Sequence, residues 1–598
     1  MKLSSRFVFS LLACFATSAA LAQPSGGPYG PILQRYEIPK AGHIYYVAPD
    51  GQAGNDGKSL DHPTTLESAI AAVATGDAII LRGGTYRTGN LVLSQGVTIQ
   101  PYADERPVLK GTEVATGWTA QPNGTWRTTW TKLFPASPAD WWRRDREEKR
   151  TPVHLFNNDM VFVDGKLYAA VGSEVDVKGE TFYIDYENAL VSIGTDPTGH
   201  EVEITAHDSA LVRTMRAAHG KANDGRGPAI RGLTFTQYAY RALEVEGVEP
   251  GKYMPPENFG KEVTGTTLEH LTITLCSHVA GYFRGDNLVI RNCYVSDTGT
   301  EGVYVVNSSD VLIEKNIFTR NNFEKLTGVY ASTVKIFNQT HRVTFRDNLV
   351  IDSPNSSGVW YDVGNVDGVF VNNWIERTND GLFFEISKGV TVAGNVFVNV
   401  NKGIRILNSS NAKVYQNTFY NSVAAFERTE RSAAGDHFGW HASSGPDVTE
   451  RHGHVFVNNL MVGEPSFKGP LLSFFQATAV KDRLKEPHVK ELDSNVYVRR
   501  AGSGVLPLIQ WGPVPTDTNV VNIMALDELR KLEPSFEAKS QAFTDYRGSL
   551  FQAAEIERFE LMKEFPAASA AAPLPDSIRE KLGWPKDAPS HPGAYAPR

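Results

Sequence analysis

The sequence predicts an all-β fold, a right-handed parallel β-helix with an inserted antiparallel, sandwich-like β-subdomain and an N-terminal capping helix. Three observations predict it. Two frames repeat 23 residues apart, Gly358-Val359-Trp360-Tyr361-Asp362 and Gly381-Leu382-Phe383-Phe384-Glu385, and a period of this size marks a chain that stacks one coil on the next. Apolar-alternating strands ending in Asn recur along the middle of the chain, at Asn292, Asn316, Asn348, Asn373, Asn395, Asn417 and Asn459. Between them lie Asn, Asp, Ser and Gly turns, with no apolar helical period long enough for crossover helices. Inward Asn amides that bond to neighbouring coils satisfy polar groups whose burial is otherwise costly, so the Asn column reads as structural.

The elements follow in order. Lys2 and Arg6 precede an apolar run from Phe7 that continues to Ala22, and Ala20-Leu21-Ala22 has the small-residue form of a signal-peptidase site. Residues 1–22 therefore read as a signal peptide and the protein as periplasmic or secreted, with a lipoprotein anchor at Cys14 as the alternative. A Pro/Gly-rich leader, 23–41, precedes a cap and first coils over 43–117, whose helix, Leu66 to Ala74, covers strand edges left open at the end of the stack. Longer alternating strands with Asp-Gly and Asn-Gly turns mark the insertion over 118–212. Coils resume for the body, 213–510, and a terminal segment, 511–598, carries a helix-like stretch from Ala553 to Glu564 and a Pro-rich tail expected to wrap outside.

Composition narrows the function. At 598 residues, 41% hydrophobic and 21% charged, the chain can bury a large core. A net charge of −8, more acidic still without the leader, does not favour a nucleic-acid partner. Only Cys276 and Cys293 remain after the leader, without the spacing of a zinc site, and they read as core thiols, with a bridge left open. No later segment is long and apolar enough to span a membrane, and the spacing of the frames says nothing of oligomeric state.

Alternate residues of a strand share a face, so Trp360 goes with Asp362 and Phe383 with Glu385, while Val359, Tyr361, Leu382 and Phe384 turn inward. Asp362 and Glu385 are then expected side by side on the outer wall, about 4.8 Å apart. Carboxyl groups about 5 to 5.5 Å apart suit retaining glycoside hydrolysis, and their mutual repulsion keeps one of them protonated as the acid. Exposed acids are common on such a surface, but stacked like charges cost energy unless they serve a function.

The same frame offers Trp360 and Phe383 as apolar rings for a sugar face, and Arg405 and Asn338 as partners for its hydroxyls. With Asn338 placed beside Asp362, the alternation turns Lys335 inward, where a lysine fits poorly. The loop between Asn417 and Asn459 carries Glu427, Arg428, Glu430, Arg431, His437, Trp440 and His441. It reads as a lid or subsite wall, or as ordinary solvated loop.

On the Gly358–Asp362 and Gly381–Gly389 segments, with Asn373 between them, the chain resembles the parallel β-helix β-xylosidases of glycoside hydrolase family 120, which share a pectate-lyase-like superfold and carry an inserted β-sandwich. Phe162-Val163-Asp164-Gly165 and Asp196 to Glu203 in the insertion extend the likeness. The resemblance implies Asp362 as nucleophile and Glu385 as acid/base, with an oligosaccharide or polysaccharide fragment from plants or algae as substrate and no metal or other cofactor. The chain departs from the family pattern at Val363, Lys388 and Val390, where a Trp, a His and a Pro are expected, and the loss of the His and Pro bears on xylose specificity.

Two other classes stay open. A polysaccharide lyase, acting by β-elimination on uronates, calls for Ca²⁺ and a base such as Lys335, Lys388 or Arg405; a non-catalytic carbohydrate-binding protein uses the same outer face for adhesion alone.

Overall fold

The computed structural model describes residues 27–135, 152–155, 157–326, 331–430, 450–514 and 520–598. The signal-peptide reading and Cys14 lie outside them. Three parallel sheets of 13 strands each run the length of the β-helix, and each strand pairs with its counterpart in the next coil. The second sheet, taken as the one that runs from Leu91–Leu93 to Val521–Ile523, ends in an antiparallel pair, Ile509–Trp511 with Val521–Ile523.

Two columns hold the coils in register. Asn348, Asn373, Asn395, Asn417, Asn459 and Asn495 each accept, at Oδ1, the backbone N–H of the asparagine one coil earlier, at 2.9–3.0 Å. Their amides donate to carbonyls of the previous coil, as Asn395 does to Phe370 at 2.9 Å. Asn292 does not belong to this column. The residue whose N–H meets Asn316 is Cys293, while Asn292 occupies the left-handed turn position before it and donates to Pro28 and Gly30 of the leader. The second column is a run of stacked phenylalanines in the core, Phe318, Phe345, Phe370, Phe397, Phe419 and Phe456, with ring centres 5.0–6.4 Å apart. Cys276 and Cys293 are free and buried.

The cap is the helix Leu66–Ala72, started by the Thr65 hydroxyl, which accepts the Ser68 N–H at 3.2 Å. It buries Leu66, Ala69 and Ile70 in the main core, against Leu91–Leu93 at the edge of the second sheet. The insertion leaves the β-helix at Thr112–Val114 and returns at Val202–Thr205, which pairs antiparallel with it. A four-stranded and a five-stranded sheet enclose a separate core around Val161, Phe182, Val191 and Ile204.

Ser209–Arg213, which the strand pattern assigned to the insertion, is a rung of the second sheet, because its Leu211 and Val212 pair with Leu91 and Val92. Ala553 to Glu564 forms no α-helix; its helical part is the single 3-10 turn Ala554–Ile556. Phe551–Ala553 and Arg558–Leu561 form an antiparallel hairpin, and the helix of the tail is Asp576–Leu582, whose Ile578 and Leu582 cover Val371, Ala393 and Tyr415 on the outside.

Replacing Asn395 by Ala removes the acceptor of the Asn373 N–H and amide and leaves both buried. Such groups cost about 1–3 kcal/mol each, so the variant is expected to lower the unfolding free energy by roughly 3 kcal/mol in chemical denaturation. A change within about 0.5 kcal/mol, as at an ordinary surface site, would show that the column does not hold the stack.

Candidate active site

Five consecutive rungs of the second sheet carry the candidate chemistry: Ser332–Phe337, Ser357–Asp362, Asp380–Glu385, Lys402–Leu407 and Val423–Arg428. Val359, Tyr361, Leu382 and Phe384 point into the core, as the alternation predicts. Glycine opens the central frames because the coils approach closely there. A Cβ on Gly381 would sit 2.4 Å from the Gly403 carbonyl oxygen and 2.7 Å from the Phe397 ring.

The register sets two outward columns. In one, Tyr304, Lys335, Trp360, Phe383 and Arg405 follow each other; in the next, Phe337, Asp362, Glu385, Leu407 and Glu427 do. Asp362 and Glu385 are therefore direct cross-strand partners, on strands separated by about 4.8 Å. Both are buried, each 4% exposed.

Asn338 is not beside Asp362. It takes the left-handed turn position matched by Val363 in the next coil, and its backbone N–H donates to the Asp362 carbonyl at 3.0 Å, so Phe337 is the residue opposite Asp362. This shift by one residue turns Lys335 outward. Its Nζ lies 2.7 Å from Asp362 Oδ2 and 3.0 Å from the centre of the Trp360 ring.

Trp360 and Phe383 stack on each other with centres 4.6 Å apart and 23° between planes. The Arg405 guanidinium lies 4.6 Å from the Phe383 ring centre. The column thus reads cation, ring, ring, cation, and each ring has a face against the other ring and a face against a cation. The expectation that these rings lie flat under a sugar is corrected, since at 3% and 5% exposure they present no free face. The Trp360 Nε1 is buried and has no hydrogen-bond partner among the described residues.

Arg405 is also committed. Its Nε is 2.9 Å from Glu427 Oε2 and its Nη1 is 3.5 Å from Asp380, and Lys402 pairs with the other Glu427 oxygen. Arg405 thus braces carboxylates instead of standing open to sugar hydroxyls. Glu427 and Arg428 lie on a strand and not on the loop expected there, and His437, Trp440 and His441 lie outside the described residues.

Charge and burial compete across the cluster. Burial lowers the Lys335 amine below its ordinary range, against the pull of Asp362, Glu385 and Glu301. Burial would raise Glu427, but Arg405 and Lys402 outweigh it and hold the carboxyl below the usual range. Asp380 is raised by burial despite Arg405 and Lys402. Glu301, fully buried and accepting from the Tyr304 hydroxyl at 3.2 Å, is pushed up to about 8 by burial. The apolar Val334 and Ile336 on either side of Lys335 were the signal for its outward aim; nothing local singled out Glu301 or Asp380. Among the described residues no group of three or more His, Cys, Asp or Glu is placed to hold a metal ion.

Comparison with known proteins bears on this architecture. A family model for the right-handed beta helix region matches residues 259–419, which include both acidic frames. The fold is a right-handed parallel β-helix. The complex structure of XylC with xylose superposes with a TM-score of 0.54 at 15% identity, over 76% of this chain and 83% of that one. The crystal structure of pectate lyase Pel9A aligns at 13% identity over 94% and 97%, with a TM-score of 0.36. Pectate lyase L of Dickeya dadantii (strain 3937) is 49% identical over 43 residues, 7% of this chain and 10% of that protein. The chain thus spans about a tenth of that curated relative's length.

The Glu427 pairing predicts a pH signature. A carboxyl held below its unfolded value stabilises the fold above that value, near 4.5, and the contribution is lost as pH falls through the folded value. Glu427→Gln is therefore expected to unfold at a lower temperature than the wild type at pH 7, with the gap closing as the pH falls below the ordinary carboxylate range. Thermal melts across that range check it.

Proposed function

We propose that this chain is an exported retaining glycoside hydrolase acting on plant or algal polysaccharide fragments. The observation that carries the reading is the in-register pairing of Asp362 and Glu385 on adjacent rungs, a spacing that suits the double displacement of retaining enzymes. One oxygen of Asp362 attacks the anomeric carbon and forms an ester while the glycosidic C–O bond breaks. The departing oxygen keeps the bonding electrons and takes the proton of Glu385. A water then gives its proton to Glu385 and its oxygen to the anomeric carbon, which frees Asp362.

The surroundings support an uncharged sugar. Lys335 is matched by Asp362, and Arg405 and Lys402 by Glu427 and Asp380, so a uronate carboxylate would enter among acids whose counter-charges are already paired. The Trp360 N–H is a buried donor whose need a sugar hydroxyl or water meets. Likeness to the xylose complex of XylC supports the same class at the level of fold, and the β-xylosidase-like motifs make xylosides the first substrates to try.

The buried Lys335 favours a second reading, in which its depressed amine abstracts a proton in β-elimination. The charge pairing argues against that reading.

With 4-nitrophenyl β-xyloside and other neutral 4-nitrophenyl glycosides as a panel, Asp362→Ala is expected to abolish turnover. Glu385→Gln is expected to lower it by about 10²–10⁴-fold. Product followed by NMR keeps the anomeric configuration of the substrate. Undiminished activity of Asp362→Ala rejects the assignment. Hydrolysis is expected to survive EDTA; loss under EDTA, recovery with Ca²⁺ and an unsaturated, ultraviolet-absorbing product from a polyuronate would establish elimination instead.

A further inference from the structure

We infer that Lys335 is a fixed counter-charge shared by Asp362 and Glu385, a positioning residue against which the site's negative charge passes from one acid to the other. The inference rests on the hydrolytic reading and extends it to a residue that neither acidic frame contains.

Its basis is geometric. Lys335 stands one rung before Asp362 and one column across from it, with Nζ 2.7 Å from Oδ2. Its charge also acts on Glu385, one rung further on, and on Glu301, which precedes the facing strand. Among the described residues, the ammonium lies 5.6 Å from the Phe337 ring centre and 3.0 Å from that of Trp360, and Tyr304 is its cross-strand neighbour. Lys335 is fully buried, so solvent does not screen these interactions as it does at a surface.

The chemistry needs such a charge at a fixed point. Before reaction Asp362 is the anion and Glu385 holds a proton. When the ester forms, Asp362 becomes neutral and Glu385 becomes the anion, so one negative charge moves by about one strand spacing. An ammonium paired only with Asp362 would lose that pairing at that stage. The Trp360 face holds it in place by a cation–π contact, and Phe383 and Arg405 brace the tryptophan from the other side. Glu301, which burial keeps largely neutral below about pH 8, does not draw the ammonium away. The position of Lys335 relative to both acids thus stays constant while their protonation alternates.

The test uses the full chain and the variants Lys335→Met and Lys335→Arg. Removing the cation makes both acids harder to ionise, so in Lys335→Met both limbs of the pH profile of kcat/KM should move to higher pH. The kcat should fall about a hundredfold with KM changed much less. Lys335→Arg keeps the charge and is expected to restore the position of both limbs.

Infrared titration of the carboxylates gives a readout without substrate, with Asp362 and Glu385 assigned by their Asn and Gln variants; both should titrate at higher pH in folded Lys335→Met. Unmoved limbs and carboxylate titrations in a folded variant overturn the proposal. So does a Lys335→Arg enzyme that is inactive although folded, the result expected of a lysine base. Full activity of Asp362→Ala would instead defeat the hydrolytic reading, and the infrared titration would still decide whether Lys335 serves both acids.

Discussion

Backbone pairing between successive coils, one residue opposite one residue, is the constraint on which the rest of this molecule depends. Parallel rungs about 4.8 Å apart turn a spacing in sequence into adjacency in space. The asparagine column and the stacked phenylalanines keep that pairing from slipping, one by satisfying buried amides and the other by filling the core ring on ring. A slip of one residue would send Asp362 and Glu385 into the core and Tyr361 and Phe384 outward, so the rigidity of the columns is what positions the acids.

On the outer face the same pairing generates an ordered charge pattern. Four outward residues of successive rungs, Lys335, Trp360, Phe383 and Arg405, form a pillar with a cation at either end. Each cation reaches a carboxylate in the neighbouring column or on a nearby rung, Asp362 at one end and Glu427 at the other. Buried ions are tolerated only where they are paired and hydrogen-bonded. Here each cation of the pillar is matched by a protein carboxylate. The aromatic pair thus orders the site's own charges, where an open ring would have served as a platform for a ligand.

Much of this was legible in the sequence. The fold, the capping helix, the inserted subdomain and the inward and outward sets of the two acidic frames follow from local periodicity, and the described structure has them. The errors fall where periodicity meets a turn. Asn292 and Asn338 both occupy left-handed positions just outside a strand, where asparagine is well suited; counting asparagines misplaced the first by one residue, and carrying the outward frame past the end of the strand misplaced the second. Ser209–Arg213 was lost to the insertion because an alternating strand has the same pattern in either setting, and Glu427 was read as loop because its rung precedes a long connection.

By itself, then, the sequence determined the repeat, the class of fold and the two candidate acids, because period-two alternation and coil length are local properties that a chain displays residue by residue. Only the tertiary structure decided that Lys335 faces Asp362, that the faces of Trp360 and Phe383 are spent on each other and on two cations, and that Arg405 belongs to Glu427 and Asp380. Those outcomes turn on which residue stands opposite which across loops of unequal length, and on how buried charges from several coils neutralise one another. Neither is recorded in any one stretch of chain.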